Sequence, residues 1–143
     1  MGRLDLERFL DAQDSGNIYE QALRELREGH KTSHWMWFVF PQVAGLGRSE
    51  MSQRYAIDSL AEARAYLDHP VLGPRLIECC EALLLHREKS AEQILGGIDA
   101  IKLRSSMTLF TRANPEVESF QQVLDRCFNG ETDAATVARL REL

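Results

Sequence analysis

Helix start and stop signals recur along the whole chain and leave little room for anything else. "SLAEARAYLDH" opens with the capping-box pattern Ser59-x-x-Glu62 and runs up to Pro70, which disfavours helix at His69. "SAEQILG" carries a second box, Ser90 with Gln93. "NIYEQALRELREG" offers Asn17 as a cap, Glu20 three residues on, and Gly29 at its end. "NPEVESFQQVLDRCF" offers Asn114 as a cap and Pro115 as the first helical residue, with Gly130 past its end. "LDLERFLDAQ" puts Leu6, Phe9 and Leu10 on one face, and "PRLIECCEALLLHR" is an apolar helix whose basic end suits the helix dipole. "DAATVARLREL" adds a further segment. The expectation is an all-α fold: one multihelical domain of about seven or eight helices spanning residues 1–143. A chain of 143 residues buries about 68–70% of its unfolded surface, so it needs no disulfide or metal staple.

The charge balance restricts partners. A net charge of −5 with no clustered cations disfavours binding along a nucleic-acid backbone, while a local basic pocket for one small anion stays compatible with it. Cys79, Cys80 and Cys127 form neither a CxxC pair nor a metal-ligand spacing, and read as free thiols in a reducing cytoplasm. "MGRLDLERFLDAQ" is charged and amphipathic, unlike a signal peptide, and no apolar run approaches the ~20 residues of a membrane span. A soluble, cytoplasmic protein with no cofactor is expected, its oligomeric state open.

"KTSHWMWFVFPQ", residues 31–42, holds both tryptophans in a block of six large apolar residues. On periodicity alone it is a buried helix or a buried strand. If helical, it is apolar all round and central, with Lys31, His34 and Trp37 or Phe38 on one side. Lys31, Ser33 and Gln42 bracket the apolar block. His34 then reads either as a satisfied interior histidine or as a group at the rim of a site.

"IDAIKLRSSMTLF", residues 98–110, puts polar groups in an apolar arc. At ~100° per residue from Asp99, Leu103, Phe110 and Met107 fall on one side, and Ile98, Leu109 and Ile101 on the other. Asp99, Lys102 and Ser106 lie between, with Ser105 at the edge, and Arg104, Thr108, Thr111 and Arg112 form the solvent face. Buried and unpaired, these groups would cost several kcal/mol. Either Lys102 pairs with Asp99 and the serines bond back to helix carbonyls, or the stripe lines a cavity.

"GLGRSEMSQRYAI", residues 45–57, leads two glycines, Arg48 and Ser49 into a helix. It reads as an anion seat or as a turn in which Ser49 is the cap. His30 and His34 have i, i+4 spacing but no third ligand, so no metal is expected. No GxSxG, HExxH or GxxxxGK[ST] motif occurs, and Cys127 is read as packing.

Together "SHWMWFVFPQ", "GLGRS", "YAI", "HPVLGPRL" and "KLRSSMTLF" resemble domain-of-unknown-function family 1810, small bacterial and fungal proteins. The likeness runs from about residue 5 to the C-terminus on long, specific motifs. It implies a mainly α-helical fold and no particular activity. Some members carry the label calpastatin, which a compact helical chain with only four prolines does little to support. The resemblance marks Lys31, Ser33, His34, Trp35, Trp37, Gln42, Tyr55, Lys102, Ser105 and Ser106 without assigning them roles.

The function expected is a pocket for a small anionic metabolite with an aromatic part, nucleotide- or ADP-ribose-like, and, if catalytic, metal-independent hydrolysis or group transfer. Lys102 and Arg48, with Ser49, would hold the anion, Lys31 and Lys102 would belong to the catalytic group with His34, and Trp35 or Trp37 would stack on the ring. His34 would act as general acid or base, with Ser33, Gln42, Tyr55, Ser105 and Ser106 orienting the ligand. The alternative is a non-enzymatic interaction module whose polar residues form a buried structural network.

Overall fold

The computed structural model describes residues 5–142. Among them no strand forms, and Val43 and Ile57 meet only in an isolated parallel bridge. The helices are α1 (Glu7–Asp14), α2 (Ile18–Glu28), α3 (Met36–Val39), α4 (Glu50–Arg54), α5 (Leu60–Asp68), α6 (Leu72–Leu84), α7 (Ala91–Leu95), α8 (Gly97–Ala113), α9 (Glu118–Phe128) and α10 (Ala134–Glu142). α3, α4 and α7 are single turns of four or five residues, leaving seven longer helices. The architecture is all-α, as expected.

The local signals act with some exceptions. Ser90 and Gln93 complete their capping box, and the Ser59 hydroxyl accepts from the Glu62 amide. Glu62 turns its carboxylate to the Asp58 amide at 2.8 Å and to Arg8 at 3.3 Å. Gly29 ends α2 at φ +76°, and the His30 amide reaches back to the Glu25 carbonyl. Asn17 does not cap α2. It sits in the left-handed region beside Gly16, in a 3-10 turn that folds α2 tightly back from α1. Asn114 and Pro115 also do not start α9, which begins three residues later. The Asn114 side chain accepts from the Glu116 amide and the Val117 amide bonds the Asn114 carbonyl, so Pro115 serves a turn.

Residues 31–42 form neither a long helix nor a strand. They run as irregular chain, bent at Ser33 and His34, into the one turn of α3, with Met36, Phe38 and Val39 buried and Trp37 half-buried.

α8 is the central helix, packed by α5, α7, α9 and α10. Every residue from Ser105 to Phe110 is buried, so a single buried arc does not describe its second half. Thr108, expected on the solvent face, is fully buried: its hydroxyl donates to the Arg104 carbonyl and accepts from the Asp133 amide. Ile98 and Ile101, expected on an apolar face, are 75% and 65% exposed. An aromatic row crosses the core from Tyr55 to Phe9, Tyr66, Phe110 and Phe120, with successive centroids 5.9, 5.2, 5.4 and 5.8 Å apart.

"HPVLGPRL" is a structural device. The His69 Nδ1 accepts from the Val71 and Leu72 amides at the start of α6, and Pro74 falls in the first turn, where no intrahelical donor is lost. Gly73 lies against α5, and a Cβ there would stand 2.0 Å from the Leu67 carbonyl oxygen. Backbone cannot yield as a side chain does. Gly73→Ala is therefore expected to destabilise the protein by at least about 2 kcal/mol, read as a lowered midpoint in urea denaturation.

Candidate functional site

The site begins with Glu25, on the core-facing side of α2 and only 4% exposed. Its carboxylate accepts from the Thr32 amide (2.9 Å), the Ser33 amide and hydroxyl (3.0 and 2.6 Å) and the Trp35 indole N–H (2.9 Å). The Gln21 amide adds a fifth donor at 3.1 Å. Burial pushes the Glu25 carboxyl up, but the hydrogen bonds from Ser33, Thr32 and Trp35 outweigh it and hold the group down at about 2. The segment after α2 is thus wrapped over a buried anion.

That wrapping positions Lys31, whose amide also bonds the Ile94 carbonyl of α7. Its ammonium lies 2.9 Å from Asp99 Oδ2 and 5.0 Å from the centre of the Trp35 ring. One turn along α8, the Lys102 ammonium stands 3.7 Å from Asp99 Oδ1 and 5.0 Å from the centre of Trp37. Two lysines therefore share one carboxylate between two indoles. Asp99 is committed to Lys31, and Lys102 is the cation left less compensated.

Lys102 faces a cleft of about 300 Å³ between α8, the start of α10 and the chain from Gln42 to Ser52. Polar groups on its walls come from Gln42, Ser52, Lys102, Ser105 and Asp133, and its apolar walls from Leu46, Ile98, Ile101 and Ala135. At its floor the Ser105 hydroxyl lies 2.7 Å from that of Thr136, which donates to Asp133 Oδ2 at 2.7 Å. Asp133 is the N-terminal cap of α10, also accepting from the Thr136 amide. The loop wall is fixed by Arg139, which donates to the Ala44 carbonyl at 2.9 Å and lies against Gly45, φ +97°.

The sequence-predicted residues separate into groups. Lys102, Ser105 and Gln42 line the cleft, and Lys31 and Trp37 adjoin it through Asp99 and Lys102. Ser33 and Trp35 are held by Glu25, with Trp35 fully buried. Tyr55 packs between Phe9 and Phe38, and Ser106 is fully buried with no hydrogen-bond partner among the described residues. His34 and Arg48 are exposed and form no wall of the cleft. Ser49 caps α4, accepting from the Ser52 amide at 3.1 Å. The glycine pair is spent on close contacts rather than on a phosphate cradle: a Cβ on Gly47 would meet the Ser52 side chain at 2.5 Å.

Glu25, Asp133, Thr136 and Ser52 were not singled out by the sequence. Glu25 had a usable signal, because its spacing from Ala22 and Leu26 sets a carboxylate on an apolar face. Asp133 with Thr136 three residues on is likewise a helix-start pattern.

Cys79, Cys80 and Cys127 are free, and burial raises all three thiols, Cys79 to about 12, which leaves them poor nucleophiles. No group of three His, Cys, Asp or Glu among the described residues is arranged to hold a metal ion, and no helix among them is long and apolar enough to cross a membrane.

Glu25 also sets an acid limit. Its folded-state value lies below the ordinary 4.5, so its contribution is present above about pH 4.5 and lost as the pH falls toward 2. Denaturation as a function of pH should lose on the order of 2–3 kcal/mol across that window. Glu25→Gln should be less stable at neutral pH and show a flattened acid limb.

Comparison with solved structures finds the conserved hypothetical protein Rv1873 from Mycobacterium tuberculosis, similar at 48% identity with a TM-score of 0.93. The match covers 96% of this chain and 97% of that one. Comparison with curated proteins gives no match. A family model described as a protein of unknown function, DUF1810, matches residues 3–140. The chain belongs to the DUF1810 family.

Proposed function

We propose that the protein binds a small anionic metabolite in the cleft beside Lys102. The observation that carries this reading is the unequal sharing of Asp99: Lys31 takes it at 2.9 Å, and the cleft-lining Lys102 stands off at 3.7 Å. An ammonium so placed, with hydrogen-bonding groups of Gln42, Ser52 and Ser105 and apolar walls around it, suits an anion attached to a compact apolar body. A volume of about 300 Å³ is at the small end for ligand pockets. A nucleotide or ADP-ribose-like compound would extend past Ile98 and Ile101 into the adjoining cleft of about 440 Å³, which those residues also line. A cytoplasmic setting, suggested by the three cysteines, belongs to the same proposal. The reading is one of binding: His34, the residue assigned acid–base work, stands outside the cleft.

A second reading, a non-enzymatic interaction module, is favoured by two observations. Ser33 and Trp35 are engaged in the Glu25 network, and Ile98 and Ile101 form an exposed apolar ridge.

Trp37 lies against Lys102 and should report on the cleft. Tryptophan fluorescence titrated with inorganic phosphate, AMP and ADP-ribose is expected to change saturably for at least one of them, with affinity at least about tenfold weaker in Lys102→Ala. Affinity unchanged in that variant would remove the proposal. Lys102→Met should leave the melting temperature level or raise it, as sites trade stability for function. A loss of about 3 kcal/mol or more would instead mark Lys102 as part of a structural network.

A further inference from the structure

Asp133 lines the same cleft as Lys102. No ion pair joins the two, or joins Asp133 to any other cation among the described residues. Its work as the cap of α10 occupies one oxygen: Oδ2 accepts the Thr136 amide at 2.9 Å and the Thr136 hydroxyl at 2.7 Å. A carboxylate oxygen accepts about two hydrogen bonds, so Oδ2 is filled. Oδ1 receives no donor from the described residues. Nor is it sealed away, because the buried side-chain polar atoms without a partner among those residues are the hydroxyls of Ser106 and Thr111. One oxygen of Asp133 is therefore open to what enters the cleft.

Opposite charges that line one hollow without neutralising each other make it dipolar. Beside Lys102 the charge is positive, since Lys31 and Lys102 share the single carboxylate of Asp99. Beside Asp133 it is negative. Asp133 also lines the adjoining cleft, whose other charged residues are Glu92 and Arg104, and the Arg104 guanidinium is held by Glu131 at 3.2 Å. A second anionic group on the ligand would meet a carboxylate there, whereas a cationic group would be matched.

We infer that the ligand of the Lys102 cleft is a zwitterion, its anionic group meeting Lys102 and a primary ammonium on the same molecule meeting Asp133 Oδ1. Its hydrocarbon lies on Leu46, Ile98, Ile101 and Ala135. The inference rests on the binding reading above and narrows it. Amino acids with apolar side chains and aminoalkyl phosphates share this chemistry, and a cleft of about 300 Å³ suits molecules of that size. A plain anion of the same shape satisfies Lys102 but leaves the Asp133 oxygen facing hydrocarbon.

Matched probes test it on the full chain by two-dimensional amide NMR titration. Leucine is compared with 4-methylpentanoate, which lacks only the amine, and 2-aminoethyl phosphate with propyl phosphate, in which a methyl replaces the ammonium. Within at least one pair the amine-bearing member should bind at least about fivefold tighter, and which pair responds separates carboxylate from phosphate as the anion. Asp133→Asn keeps a favoured cap on α10 while removing the charge, and should cut the preference below about twofold. Asp133→Ser, another favoured cap, answers the question should the asparagine variant fail to fold. A preference that persists in the folded variant would overturn the inference. Equal affinities within both pairs, or tighter binding of the plain anions, with Lys102→Ala still weakening them, would overturn it and leave the anion site standing. So would binding of phosphate, AMP or ADP-ribose but of none of the matched probes. No binding by any of these compounds would overturn both.

Discussion

A carboxylate that has lost its water must be given donors, and in this chain that requirement sets the path of the segment that brings Lys31 and Trp37 to the edge of the cleft. Glu25 collects two backbone amides, a hydroxyl and an indole N–H from the four residues Thr32 to Trp35, with Gln21 closing the shell. Leaving such a group half satisfied is far more costly than each bond is stabilising, so the five contacts behave as a unit. The segment leaving α2 has therefore little choice of path. Once that path is fixed, Trp35 enters the core, Trp37 stays at its edge, and Lys31 is delivered to Asp99 on another helix.

The two halves of the arrangement meet on α8. Its second half is enclosed and belongs to the core, whereas its first turns carry Ile98, Asp99, Ile101 and Lys102 out to the surface. One helix thereby joins the aromatic row at Phe110 to the charged group at its other end. The lysine–aspartate–lysine arrangement carries one positive charge more than it neutralises. Because both ammoniums lie over indole rings, part of that excess is met by ring faces rather than by water or a second carboxylate.

The sequence was legible where a feature is local and one-sided. The all-α architecture, the cap at Ser59, the capping box at Ser90 and the end of α2 at Gly29 follow from spacing alone. Lys102 stood out because a cation lay within an apolar stripe, and its partner Asp99 was within reach on the same helix. Tyr55, His34 and Arg48 show where that logic stops. Sharing a motif with polar residues says nothing about which way a side chain turns once distant segments pack, and Tyr55 turned inward while the other two turned out. Thr108 failed for a related reason: the wheel gave α8 a solvent face, but the start of α10 covers it. Asp133 and Thr136 matter only through that long-range packing.

The contact between Arg139 and Ala44 spans 95 positions of the chain, farther than any other side-chain hydrogen bond described above. Such contacts close late, since the entropy of bringing remote segments together has to be met before they return anything. The helical core can assemble around its aromatic row while the Gln42–Ser52 loop is still unclamped. The loop wall of the cleft therefore depends on α10 staying docked, and is left without its clamp wherever α10 lifts away.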